Sequence, residues 1–207
     1  MNTESVIMQY HLPILSRSLV SICLLAVLSG CATTQTFIHA VGSKPPLCKA
    51  RSRQESALVL WGTAWRDNQK EPRLREEMAS KAIAEFFSGR SCYAKATILR
   101  SIEGREAVTL SDVDALKFAN ALPEKYSRII MLRVEELGPL LIFYLSPILW
   151  EGGTDVVLRV RELDADASAL DSDLDIHWKN SGAFVLKGTK SLEQDLQSAL
   201  EKVFLNQ

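Results

Sequence analysis

A thiol stands at Cys31, directly after Leu28-Ser29-Gly30. Those residues close an apolar run, Leu19 to Leu28, behind a lone basic residue, Arg17, the layout of a secretory signal with a small-residue cleavage site. The run is too short for a membrane span, which needs roughly 20 residues, and Pro13, Ser16, Arg17 and Ser18 interrupt it upstream. Other reactive side chains assemble poorly. Asp171, Asp173 and Asp175 have the spacing of the first ligands of an EF-hand calcium loop, but that loop needs Gly at its sixth place and Glu at its twelfth. Ile176 and Gly182 stand there, so the alternating aspartates fit a wet strand face better. His39 and His177 are the histidines beyond the apolar run. Neither lies near a Gly-x-Ser-x-Gly turn or at zinc-ligand spacing from a cysteine. Glu76-Glu77 and Glu135-Glu136 are adjacent acids of the usual solvated kind, and no phosphate loop or dinucleotide fingerprint occurs. The sequence therefore assigns no catalytic residue and implies no metal and no cofactor.

Leu28-Ser29-Gly30-Cys31 resembles the lipobox of bacterial lipoproteins. The resemblance implies cleavage before Cys31, lipid on its thiol and a third acyl chain on the new amino group. Two or more chains anchor stably, at ~0.8 kcal/mol per buried methylene. Ala32 stands where the inner-membrane retention signal of these lipoproteins has Asp, which implies sorting to the outer membrane with the domain facing the periplasm. The expected partners are accordingly the membrane, through the lipid on Cys31, and an envelope protein. Met8 offers a second possible start, giving a leader of more usual length.

Without residues 1–30 the chain has one domain's worth of sequence, enough for a proper core. A net charge of −1 and a pI near 6.3 give no electrostatic case for nucleic acid. Cys23 leaves with the leader, so Cys48 and Cys92 remain as an even pair in the oxidising compartment that the lipobox implies. They are expected to form a disulfide worth ~4 kcal/mol on a chain-entropy argument; two buried free thiols are the alternative.

The elements follow from periodicity. Residues 31–56 read as the lipidated cysteine and a tether, with Phe37-Ile38 and Ala40-Val41 able to form a short strand or dock on the domain, which is expected over 57–207. Ala57 to Trp61 reads as a buried strand. A helix opens at Pro72 with Leu74, Met78, Ala82, Ile83, Phe86 and Phe87 on one stripe, and Gly89 suits its stop. Tyr93 to Ser101 and Arg128 to Glu136 read as strands, with a helix from Ser111, a capping-box variant, to Ala121 between them. Thr154 to Glu162 and Leu170 to Trp178 alternate, and a hairpin centred near Ala167 sets Arg161 opposite Asp173 and Arg159 opposite Asp175. Ser191 to Gln194 reads as a capping box opening a last helix to about Phe204. The sum is an α+β domain with a mixed sheet of about five strands and about three helices.

Leu137 to Trp150 is the most unusual segment, too short and too interrupted by Pro139 and Pro147 to cross a bilayer. It reads either as a buried strand with a bend or as an exposed apolar surface for a partner or the membrane, with Phe143, Tyr144, Leu149 and Trp150 in contact. A second, weaker candidate is the loop from Trp65 to Arg75, with Arg66, Lys70, Arg73 and Arg75 beside Trp61 and Trp65. The element order is loosely similar to accessory lipoproteins of curli secretion and of penicillin-binding-protein activation, which implies a non-catalytic binding or scaffolding role in the envelope. A periplasmic enzyme acting on cell-wall or lipid substrates, or a lipid-contact protein, are the rival readings.

Overall fold

The structure is a computed structural model that describes residues 32–49, 54–67, 69–102, 104–144 and 150–205. Eight strands and three α-helices follow one another as β1 (Thr33–Gly42), β2 (Ser56–Thr63), α1 (Pro72–Glu85), β3 (Lys95–Leu99), β4 (Ser101–Ile102), β5 (Arg105–Glu106), α2 (Asp112–Ala121), β6 (Arg128–Phe143), β7 (Trp150–Asp164), β8 (Ala169–Ala183) and α3 (Ser191–Phe204). Six strands form one mixed sheet in the order β1-β8-β7-β6-β2-β3; β4 and β5 pair separately. β2 runs parallel to β3 and β6, and the other pairings are antiparallel. The α+β class thus holds, with six strands instead of about five.

The added strand is β1. Thr33–Gly42, expected within the tether, pairs residue for residue with β8, from Thr33 opposite Ser181 to Gly42 opposite Ser172. Its inward side chains Ile38 and Ala40 pack on the main core, so Thr33–Gly42 belongs to the folded sheet. Leu47 is buried, and the amides of Leu47 and Cys48 donate to the carbonyls of Val203 and Phe204 at the end of α3.

One sheet face carries α1 and α3. Its core joins Val59 and Trp61, Ile130 to Leu137, Val156 to Val160, Leu174 to Trp178, and the helix stripes with Phe86, Phe87 and Phe204. A bulge at Glu135 in β6 resets the alternation, so Leu137, not Glu136, follows Val134 into this core. The opposite face is half covered: α2 and the turn Ala107–Thr109 shelter Leu58, Leu60, Ile129, Met131 and Leu163, while the β1, β8 and β7 side stays open.

The helix ends depart from expectation at two places. Past Glu85 the α1 stripe continues as one π-turn, Phe86–Arg90, which keeps Phe86 and Phe87 in the core. Ser191 is inside α3, with Lys190 at the cap, and its Oγ donates to the Gly188 carbonyl, so no capping box forms. The Ser111 cap does form: its Oγ accepts from the Asp114 amide at 3.1 Å and donates to the Asp114 carboxylate at 2.7 Å.

Candidate functional site

The hairpin register is the one its charges demand. Arg159 stands opposite Asp175 and Arg161 opposite Asp173. The shortest contact is nevertheless diagonal: Arg159 donates to both oxygens of Asp173, at 2.9 and 3.2 Å, and is 3.7 Å from Asp175. Arg161 turns instead to Asp112 and ties the start of α2 to the sheet. Beside these pairs, His39 stands opposite Asp175 and His177 opposite Phe37, so both imidazoles share the open face. His177 Nε2 lies 2.5 Å from Asp155 Oδ1. Phe37, His39, Val157, Asp175 and His177 line a depression of ≈ 660 Å³ whose lining includes no serine or cysteine.

At the end of the sheet where β1 finishes and β6 starts, buried charges converge. Arg128, 3% exposed, donates from Nε and Nη2 to the two oxygens of Glu55, and its Nη1 lies 3.3 Å from Asp164. Asp171, the extra residue of a bulge in β8, accepts from Lys49 at 2.9 Å and from Ser43 at 3.2 Å. Burial raises the Asp171 carboxyl, but those bonds and the Arg128 charge bring it below its ordinary value. Glu162, 2% exposed, accepts from the Tyr93 hydroxyl at 3.3 Å through one oxygen, and its other oxygen has no hydrogen-bond partner. Burial pushes Glu162 up to about 7 against the opposing pull of Arg128. Burial, then the Glu162 charge, carries the Tyr93 hydroxyl well above its usual range. Arg128 and Glu162 are buried, while Lys49, Asp164 and Asp171 are partly exposed at the edge of the cluster.

Cys48 and Cys92 are bridged beside them, with their Cα atoms 5.8 Å apart. The bond fastens the segment after β1 to the chain leaving α1, against Phe86, Phe87 and Phe204, which pack edge-on and tilted at 5.0–5.5 Å.

The other end of the sheet is apolar and open. Beyond Leu137 the β6–β7 arm outruns the helices, and Leu141, Phe143 and Tyr144 are exposed, Phe143 by 61%. Tyr144 donates to Glu151 at 2.6 Å. Trp150, half-buried, packs edge-on against Phe184 at 5.7 Å. Leu186, 81% exposed, completes the patch. Leu137 to Trp150 is therefore neither wholly buried nor wholly exposed: Leu137 is core and the arm past it is surface. Leu149 and Cys31 lie outside the described residues. Between this arm, the start of α1 and the stretch after β8 lies a cavity of ≈ 740 Å³ lined by Pro139, Leu140, Leu141, Val185, Leu186 and Arg75, among others. Arg75 is buried and pairs with Glu71 at 3.1 Å. In the Trp65–Arg75 loop Lys70 and Arg73 are exposed, while other side chains hold the structure. Arg66 pairs with Glu136 at 2.6 Å, Gln69 exchanges hydrogen bonds with the backbone of Leu137, and Trp61 is buried beneath Arg100. The apolar run Ala183 to Leu186 reads from sequence as further strand or a partner to it; β8 ends at Ala183, and Phe184 and Leu186 instead lie on the surface beside the arm.

Among the described residues no helix is long and apolar enough to cross a membrane, and no group of three or more His, Cys, Asp or Glu is placed to hold a metal ion. No protein-family description and no curated protein matches the chain. Three solved structures are similar in course. The PelC dodecamer from Paraburkholderia phytofirmans is 13% identical, over 80% of this chain and 95% of that one, with a TM-score of 0.41. A putative neuraminyllactose-binding hemagglutinin homolog from Helicobacter pylori is 9% identical, over 80% and 88%, with a TM-score of 0.41. Lipoprotein GNA1162 from Neisseria meningitidis is 15% identical, over 72% and 96%, with a TM-score of 0.39. At these scores the likeness assigns neither a site nor an activity to this chain.

Proposed function

We propose that this protein is a lipid-anchored component of the bacterial cell envelope, acylated on Cys31, with a non-catalytic binding or scaffolding role toward another envelope protein. The observation that carries the reading is a coincidence of boundaries. The lipobox-like Leu28-Ser29-Gly30-Cys31 ends two residues before Thr33, where the folded sheet begins. Cleavage there removes the apolar run and leaves the domain whole. The Cys48–Cys92 bridge suits an oxidising compartment, and Ala32 suits outer-membrane sorting with the domain toward the periplasm.

The binding role is favoured over catalysis by where the displaced acid lies. Glu162 is the carboxyl brought nearest neutrality, and it is sealed among Tyr93 and Arg128 instead of facing a cleft. The lipid-contact reading has one observation of its own, the cavity beside Leu140 and Leu141, although Gln69, Lys70, Glu71, Arg75, Glu136 and Lys187 share its lining with the apolar residues.

Mass spectrometry of the amino terminus from the native host tests the anchor. The expected product begins at Cys31 and carries acyl groups. Cys31→Ser is expected to leave the protein unprocessed or mislocalised. An unmodified residue 31, or continued lipid anchoring of the serine variant, refutes the reading. Crosslinking in intact cells then identifies the partner.

A further inference from the structure

Strand register fixes which end of the domain meets the anchor. Thr33 stands opposite Ser181, Ser181 opposite Gly153, and Gly153 opposite Leu140, so these four residues form one row across β1, β8, β7 and β6. Past that row β1 has ended, while β6 runs on through Leu141 to Phe143, β7 starts at Trp150, and β8 leaves through Ala183 toward Phe184. The chain therefore enters the sheet at the same end that carries the apolar patch. Cys31 precedes Thr33 by two residues, a reach of about 7 Å at full extension. Five of the nine large hydrophobic side chains exposed among the described residues gather at this end: Leu141, Phe143, Tyr144, Phe184 and Leu186. The charge hub of Arg128 and Asp171 occupies the opposite end.

We infer that this patch is a membrane-contact surface: Leu141, Phe143, Tyr144, Trp150, Phe184 and Leu186 enter the interfacial layer of the leaflet that holds the Cys31 lipid. The inference rests on acylation of Cys31. Given that bond, a two-residue leash leaves the patch no room to stand clear of the bilayer. An apolar surface held there loses water contact by resting on lipid, at no further cost in finding it. Tyr and Trp suit the boundary, because each has an apolar body and a polar tip. Tyr144 already turns its hydroxyl to Glu151, which Lys179 and Ser181 also hold, so its ring is free to face the lipid while its oxygen stays bonded. The domain then stands with its strands rising from the membrane, and the open face bearing Arg159, Asp175 and His177 remains accessible to a protein.

The test uses the processed full-length protein from the native host, reconstituted in phosphatidylethanolamine–phosphatidylglycerol vesicles with or without bromine on the acyl chains. Mass spectrometry of the same sample reports the acyl groups on Cys31. Brominated lipid is expected to lower tryptophan emission; in a Trp65→Phe background, which removes the partly buried Trp65, the loss is expected to vanish on adding Trp150→Phe, because the remaining Trp61 and Trp178 are buried in the core. The exposed-site variant Phe143→Ser/Leu186→Ser, which leaves the core untouched, is expected to reduce the quenching. If Cys31 is acylated and brominated lipid changes nothing, the membrane contact is refuted while the anchor stands. Quenching that persists unchanged when Trp150→Phe is added to the Trp65→Phe background, or efficient protein crosslinks from position 143 in place of lipid contact, also overturns it. An unacylated Cys31 removes the anchor and the inference together.

Discussion

Replacing Glu162 by glutamine isolates the cost of one buried charge. Its carboxyl titrates ordinarily near 4.5 and in the fold at about 7, chiefly because burial disfavours the ionised form. The sign follows from linkage. Below pH 4.5 the group is protonated both in the fold and in the unfolded chain, and it costs nothing. Between pH 4.5 and 7 the unfolded chain releases the proton and the fold keeps it, so stability falls with rising pH by ~1.4 kcal/mol per pH unit. Above 7 the loss is complete, at about 3 kcal/mol. Glutamine keeps an acceptor for the Tyr93 hydroxyl and carries no charge to desolvate. The stability of Glu162→Gln minus that of the natural chain should therefore be level below pH 4.5, climb between 4.5 and 7, and level off above. Urea titrations from pH 4 to 8, followed by tryptophan emission, measure that difference. The slope is the diagnostic quantity, since a change in hydrogen-bond quality shifts the whole curve without tilting it. A difference that stays flat from pH 4.5 to 8, or that declines, would falsify the assignment of Glu162 as a buried acid held near neutrality.

Reducing the Cys48–Cys92 bridge, or replacing both cysteines by serine, should lower unfolding free energy by ~4 kcal/mol for a loop of this length, read from the denaturant midpoint with and without reductant. A Cβ at Gly153 would lie 2.1 Å from the Asn180 carbonyl oxygen and 2.6 Å from Ser181 Cα. Gly153→Ala should therefore cost ~1–3 kcal/mol, with a loss of amide protection across β7 and β8 on hydrogen exchange. Ser111→Ala removes the acceptor for the Asp114 amide and should cost ~1 kcal/mol; an unchanged melting temperature would show that the cap is dispensable.

What the sequence disclosed, and what it hid, depended on how local each signal was. In the β7–β8 hairpin the placing of Arg159 opposite Asp175 and of Arg161 opposite Asp173 was readable because the charges alternate on strands joined by a short turn; the bulge at Asp171, which takes Leu170 out of the alternation and brings Asp171 to the charge hub, was not. The starts of α1 and α2 were readable from Pro72 and Ser111, which act on their own backbone. β1 was only half visible: Phe37-Ile38 and Ala40-Val41 offered a short strand but neither its length nor its partner. Its apolar alternation rests on Ile38 and Ala40 alone, and its partner lies more than a hundred residues downstream. The charge hub was hidden for the same reason: Lys49, Glu55, Arg128, Glu162 and Asp171 come from distant places and share no pattern. The apolar end was half legible. Phe143, Tyr144 and Trp150 stood out in a dense hydrophobic stretch, while Phe184 and Leu186 joined them only through the register of β8 against β7.

The pairing of β1 with β8 makes the first strand of the domain wait for the last. Thr33 finds Ser181 only once the chain has been made as far as β8. Until then β1 has no strand to hydrogen-bond, and contacts between such remote parts form slowly. A chain cut short before β8 leaves this stretch loose, open to proteases and to pairing with other nascent chains. Closure of the sheet by β1 thus reports that β8 has been made and folded.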